Sequence, residues 1–269
     1  MVAGLFAGTS AKAQQTPKKA LKKIMELKMP KTADDDMPGT RGAGVAWHPI
    51  QKKYYANFAG NVGYPSAVFN ATGKRLSSDD AETMVDTRGI WYNPQTKAIE
   101  GNQYDIGGWF RYQLDSKGLI TDYSSIQTGM VQPTSQVVGT LNTKTKKVVF
   151  LKGSELFFYS FSDTISTGNM VIHFGITKQK DIMPDEDATA EPEGYNYTSV
   201  IYTGIANAEY GFLNTMDNQV ELYSEKTGLL TKIFTLPADA TAEGSFNFAY
   251  ANGIYWLFDM KNRKWVGYK

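Results

Sequence analysis

Two copies of one basic tripeptide, Thr40-Arg41-Gly42 and Thr87-Arg88-Gly89, are the first residues in this chain whose type and repetition suggest chemistry. A guanidinium offers a planar fork of donors, so Arg41 and Arg88 converging on one point would hold a carboxylate or phosphate bidentately. The favoured reading is structural: each arginine pairs with a carboxylate such as Asp86 and braces neighbouring parts of the fold. A recurring polar position comes next. Asn57, Asn102, Lys152, Asn214 and Asp259 close the tetrads YYAN, IEGN, VFLK, GFLN and WLFD. Buried amides need partners, so this row is expected to hydrogen-bond between structural units, with ligand contact as the alternative. Trp109 follows Asp105-Ile106-Gly107-Gly108, a flexible glycine loop, and is the aromatic expected to be exposed. Trp47, Trp91 and Tyr92 sit in strand-like runs, where core packing is favoured over a platform that stacks a sugar.

Composition removes several chemistries. With no cysteine there is no disulfide, thiolate zinc site or cysteine nucleophile. Two histidines, His48 and His173, are too few for a histidine-rich metal centre. His48 precedes Pro49 and reads as a turn-capping or solvated residue, and His173 falls in an expected outer strand. No serine lies in a nucleophile elbow and no glycine run has phosphate-loop spacing. The acidic stretches Asp34–Asp36 and Asp181–Glu193 lack the spacing of a calcium loop and read as solvated charge. A net charge of +1, from 28 basic and 27 acidic residues, gives no footprint for nucleic acid or an anionic membrane.

The elements that position these residues come from a repeat of about 45 residues. Five segments align: GVAWHPIQKKYYANFAGN from Gly44, GIWYNPQTKAIEGNQYD from Gly89, VVGTLNTKTKKVVFLKGSE from Val137, YTGIANAEYGFLNTMDNQ from Tyr202 and NFAYANGIYWLFDMKN from Asn247. Each is strand, tight turn, strand. A third strand follows in AVFNATGKRL, RYQLDSKGLI and ELYSEKTGLL, where Asn70, Asp115 and Ser224 open turns closed by Gly73, Gly118 and Gly228. A fourth strand follows each glycine, plainest in LLTKIFTLP. Four antiparallel strands at this period make a propeller blade, so the expected fold is all-β, a five-bladed propeller with blades starting near 44, 89, 137, 200 and 246. The tetrads, and the unit YGFLNTMDNQVELYSEKTGLLTKIFTL above all, resemble the YVTN-repeat group of bacterial propellers over most of residues 44–269. That resemblance implies the fold and a taste for export, not an activity.

The fifth copy stops after three strands. Ala20–Pro30, ALKKIMELKMP, matches GLLTKIFTLP in length and apolar positions and is expected to close the ring as its missing strand; a short amphipathic helix is the rival. Residues 178–198 are surplus to the repeat and are expected to form an exposed, mobile excursion. Residues 1–13, ending in Ala11-Lys12-Ala13, read as the remnant of a signal peptide, leaving 14–269 as one exported, periplasmic or extracellular domain. The expected role is a monomeric, non-catalytic binding module for a protein or small anionic ligand, with no membrane span and no cofactor. A propeller hydrolase or lyase is the alternative; it would hold calcium on the channel axis through Glu100, Asn102, Asn214 and Asp259.

Overall fold

The computed structural model describes residues 16, 18–183 and 187–269; the leader-like start lies outside the described residues. The described chain opens with β1 (Lys18–Ala20) and β2 (Lys23–Lys28), then runs through five consecutive sheets. The first contains β3 (Gly42–His48), β4 (Lys53–Phe58) and β5 (Ser66–Asn70). The second is β6 (Thr87–Asn93), β7 (Ala98–Gln103), β8 (Trp109–Leu114) and β9 (Ile120–Gln127), and the third β10 (Thr140–Asn142), β11 (Lys147–Lys152), β12 (Glu155–Tyr159) and β13 (Gly168–Val171). The fourth is β14 (Ile201–Tyr202), β15 (Tyr210–Asn214), β16 (Gln219–Tyr223) and β17 (Leu230–Thr235). The fifth is β18 (Phe248–Ala251), β19 (Ile254–Asp259) and β20 (Lys264–Tyr268), completed by β2.

Each blade is an antiparallel meander, and the first strands β3, β6, β10, β14 and β18 neighbour one another in order, with β18 returning to β3. The fold is a five-bladed β-propeller. Among the described residues five apolar clusters fill the five gaps between blades. This follows from strand alternation: one set of side chains faces each neighbouring blade, so both faces of every sheet are apolar. The turns are the expected ones. Asn70 Oδ1 accepts from the amides of Thr72 and Lys74, Asp115 Oδ1 from those of Lys117 and Leu119, and Ser224 Oγ from that of Lys226. Gly73, Gly118 and Gly228 close these turns at φ of 85°, 71° and 67°, a region open to glycine at no steric cost.

The ring closes as expected and then goes further. β2 pairs antiparallel with β20 from Lys23↔Tyr268 to Lys28↔Lys264, and Leu27 and Met29 are buried in the cluster between the fifth and first blades. Before it, β1 runs parallel to β17 of the fourth blade, so the N-terminal segment stitches two blades rather than one. Arg263 locks the seam. It donates to both carboxylate oxygens of Asp35 at 3.2 and 3.0 Å and to the carbonyls of Pro30 and Met37 at 2.8 and 2.7 Å, with its guanidinium 4.6 Å over the Phe58 ring.

The four-stranded plan holds with one irregularity, and one expectation is corrected. In the first blade the fourth position is an irregular segment, residues 74–82, held to the β5 edge by the bridges Phe69↔Arg75 and Pro65↔Glu82 and by Leu76 N donating to the Val68 carbonyl at 2.8 Å. Its sequence, KRLSSDDAE, has no run of alternating apolar residues to hold a ladder. The excursion after Lys178 is exposed along much of its length but pinned at its C-terminal end. The Ala188 carbonyl accepts from Ser154 N at 2.8 Å, Tyr195 donates its hydroxyl to Glu221 at 2.8 Å, and Asn196 is fully buried. Pro184–Glu186 lie outside the described residues.

Candidate functional site

The channel has two mouths, one where the inner strands begin (proximal) and one where they end (distal). Arg41 and Arg88 are both at the proximal mouth, bordering a shallow depression of about 510 Å³ with Tyr64, Gln136 and Phe246. Their states differ. Arg88 is 7% exposed, ion-paired with Asp86, bonded to the Thr87 carbonyl at 3.0 Å and 4.6 Å from the Tyr104 ring. Arg41 is exposed, with no ion pair among the described residues. The two copies of the tripeptide thus share a place and a register bulge at Gly42/Gly44 and Thr87/Gly89, but not a partner.

The polar row divides. Asn57 reaches from the first blade to Tyr112 Oη at 2.7 Å and Thr87 Oγ1 at 3.4 Å in the second, and accepts from Ser66 Oγ at 2.8 Å. Asn102 donates to Gln132 at 2.7 Å and the Val137 carbonyl at 2.9 Å and accepts from Gly139 N at 3.0 Å, tying the second blade to the third. Asn247, outside the row, accepts from Gly42 N at 2.7 Å across the seam. Asn214 stays within its own blade, donating to Asp217 and Glu221, and Asp259 caps its turn by accepting from Asn262 N at 3.0 Å. Lys152 is exposed. Glu100, fully buried, is held by Asn93, Thr96 and Arg111. The four oxygens that an axial ion would need are therefore committed to separate partners. Among the described residues no three or more His, Asp or Glu side chains gather where they could hold a metal.

Trp109 is not exposed. The tight turn at Gly108, φ 72°, returns the chain at once into β8, and the indole enters the gap between the second and third blades, edge-on to Trp91 at 6.1 Å and to Phe161 at 5.2 Å. His48 caps its turn: Nδ1 accepts from Gln51 N at 3.3 Å, which leaves Nε2 to donate to the Lys97 carbonyl at 3.0 Å in the next blade. Both ring nitrogens are used by the neutral form, and burial pushes its pKa down from 6.5. His173 lies two residues past β13, in a bridge to Leu229. Within Asp34–Asp36, only Asp35 is buried, against Arg263.

The channel itself holds a cavity of about 290 Å³, running from Gly44 and Gly139 to the distal turns at Pro49, Thr143, Gly204 and Asn252. Its walls are buried near the proximal end (Val45, Val138, Val200, Phe248) and half-buried at the distal end, so it opens as a distal funnel. The funnel rim is aromatic on four of five sides: Trp47 from β3, Tyr92 from β6, Tyr202 from β14 and Tyr250 from β18. Thr140 and Thr143 of the third blade supply hydroxyls on the fifth side. Among the described residues none lining the channel is charged. Burial raises the pKa of Tyr92, Tyr202 and Tyr250 above the ordinary phenol value, so these hydroxyls are neutral at physiological pH. Sequence reasoning noticed Trp47 and Tyr92 but missed the ring. Its signal was present in the aligned repeats, as the last aromatic before the hairpin turn of four inner strands.

No family model matches the chain, and no curated protein matches it. Among solved structures it is similar to a glutaminyl cyclase from Myxococcus xanthus, at 10% identity and a TM-score of 0.51, over 95% of this chain and 98% of that one. An auxiliary nutrient binding protein from Bacteroides thetaiotaomicron aligns at 9% identity and a TM-score of 0.44, over 84% of this chain and 59% of that one. The glutaminyl cyclase likeness establishes a shared propeller fold and nothing about activity.

Proposed function

We propose that this chain, a propeller with YVTN-like repeats, is an exported binding module that recognises its ligand in the distal funnel of the channel without transforming it. The observation that carries this reading is the cavity of about 290 Å³ at the ring's axis, rimmed by side chains from all five blades of one chain. Concave, largely apolar pockets of roughly this size, with a few convergent polar groups, are the usual form of a small-molecule site. The proximal mouth is a poorer candidate, because its amides and Arg88 are engaged in holding blades together. The lining offers hydroxyls, one amide and aromatic rings, groups that bind but lack the acid or base that hydrolysis would draw on. The test is native mass spectrometry of the protein recovered from its own host. A bound small molecule present on the natural protein and absent from Thr140→Trp, which fills the funnel, is the expected result. No bound species, or one retained by Thr140→Trp, would overturn it.

A further inference from the structure

Resting on the funnel reading, we infer that the ligand is a neutral sugar residue, stacked on the aromatic rim and hydrogen-bonded by the tyrosine and threonine hydroxyls. Charge is the first argument. Charged residues make up 20% of the chain, yet none of the described residues lining the channel carries a charge. An anion or cation placed there would lose its hydration and find no counter-charge among the residues lining the channel. The second argument is unused bonding capacity. The hydroxyls of Tyr92 and Tyr250 face neighbours only through their rings: Tyr92 packs on His48 at 4.8 Å and Tyr250 on Tyr255 at 5.0 Å, and neither hydroxyl has a protein hydrogen-bond partner among the described residues. By contrast several tyrosines buried outside the funnel are spent, Tyr55 on the Gly118 carbonyl at 2.7 Å, Tyr112 on the Thr83 carbonyl at 2.9 Å and Tyr210 on Glu225 at 3.3 Å.

The third argument is shape. Aromatic faces and edges on four sides with hydroxyls on the fifth suit a ligand that is apolar on its faces and polar round its edge. A pyranose has that pattern: axial C–H groups pack on rings such as the half-exposed Trp47, while its equatorial hydroxyls meet Tyr92, Tyr250, Thr140 and Thr143. A flat, wholly apolar ligand would leave those hydroxyls unpaired, at a cost in affinity.

The experiment is a set of titrations followed by saturation-transfer NMR and tryptophan fluorescence. The probes are glucose, galactose and N-acetylglucosamine, with glucuronate and glucose 6-phosphate as charged counterparts and indole as a flat apolar one. At least one neutral sugar should bind, at least tenfold more tightly than its charged counterpart. Tyr92→Phe/Tyr250→Phe, which keeps both rings, should weaken it about tenfold, and Trp47→Ala at least as much. If indole or the charged sugars bind in the funnel and neutral sugars do not, the sugar inference fails while the funnel reading stands. If a neutral sugar binds but neither variant weakens it, the funnel reading fails as well. If no probe binds, the sugar inference is overturned.

Discussion

The two mouths of one channel are built from opposite materials. At the proximal mouth the buried polar side chains near the axis are spent: Asn57, Asn102 and Asn247 bond across three of the gaps between blades, Arg88 is tied to Asp86, and Arg263 clamps the closing segment on the same face, while the exposed Arg41 has no ion pair among the described residues. At the distal mouth they are aromatic, half-exposed and, in Tyr92 and Tyr250, free to bond. The difference teaches that assembly and recognition can be separated along a single axis. A buried amide that holds blades together cannot also release its bonds to a ligand without loosening the ring.

The comparison breaks most violently if the seam is cut. Deleting residues 14–30 removes β1, β2, Leu27 and Met29 together, exposing a sheet edge and a cavity, and should cost on the order of 5 kcal/mol or more. Chemical denaturation measures this, and an unchanged midpoint would show that the ring does not depend on its N-terminal stitch. Next in size is Arg263→Met, which strands the buried Asp35 carboxylate and two carbonyls and should cost about 3–5 kcal/mol. Asn102→Ala orphans Gly139 N and the Val137 carbonyl and should cost about 1–3 kcal/mol for each group left unsatisfied.

A smaller effect sharpens the contrast through pH. Folding lowers the His48 pKa below 6.5, so as pH falls the unfolded chain takes up the proton first. The stability His48 contributes is therefore present above about pH 6.5 and is lost as pH falls through the lower folded value. The melting temperature should decline below pH 6.5, and His48→Gln should flatten that decline. Smallest of all, Tyr92→Phe/Tyr250→Phe should leave thermal stability within about 0.5 kcal/mol of the natural protein, because those hydroxyls have no hydrogen-bond partner among the described residues. A larger loss would place the funnel rim among the structural elements and erase the distinction.

The ring was readable in the sequence because the blades repeat the same local rules: a hairpin turn and a polar residue closing the second strand in all five, and in three of them an Asx or Ser turn ending in glycine. Even the closing strand could be found, since Ala20–Pro30 copies the apolar spacing of the fourth blade. β1 was not legible, because Lys18-Lys19-Ala20 carries no apolar pattern and its pairing with β17 is set by where β2 anchors. Trp109 was misplaced for a related reason: two glycines signal a turn but do not say to which side it returns the chain. The funnel lay beyond strand-by-strand reading. Trp47, Tyr92, Tyr202 and Tyr250 are far apart in sequence, and only closure of the ring brings them to one rim.

The central claim, that recognition occupies the distal funnel and not the proximal mouth, can be tested on the five tryptophans as built-in reporters. Trp47 and Trp91 line the channel, whereas Trp109, Trp256 and Trp265 are fully buried elsewhere. The measurement is the indole N–H spectrum of the ¹⁵N-labelled protein with and without a small-molecule extract of its host. The account predicts shifts of the Trp47 and Trp91 signals, the other three staying in place. An extract that binds while both channel indoles stay unmoved, or that shifts only the guanidinium signals of Arg41 and Arg88, would contradict it.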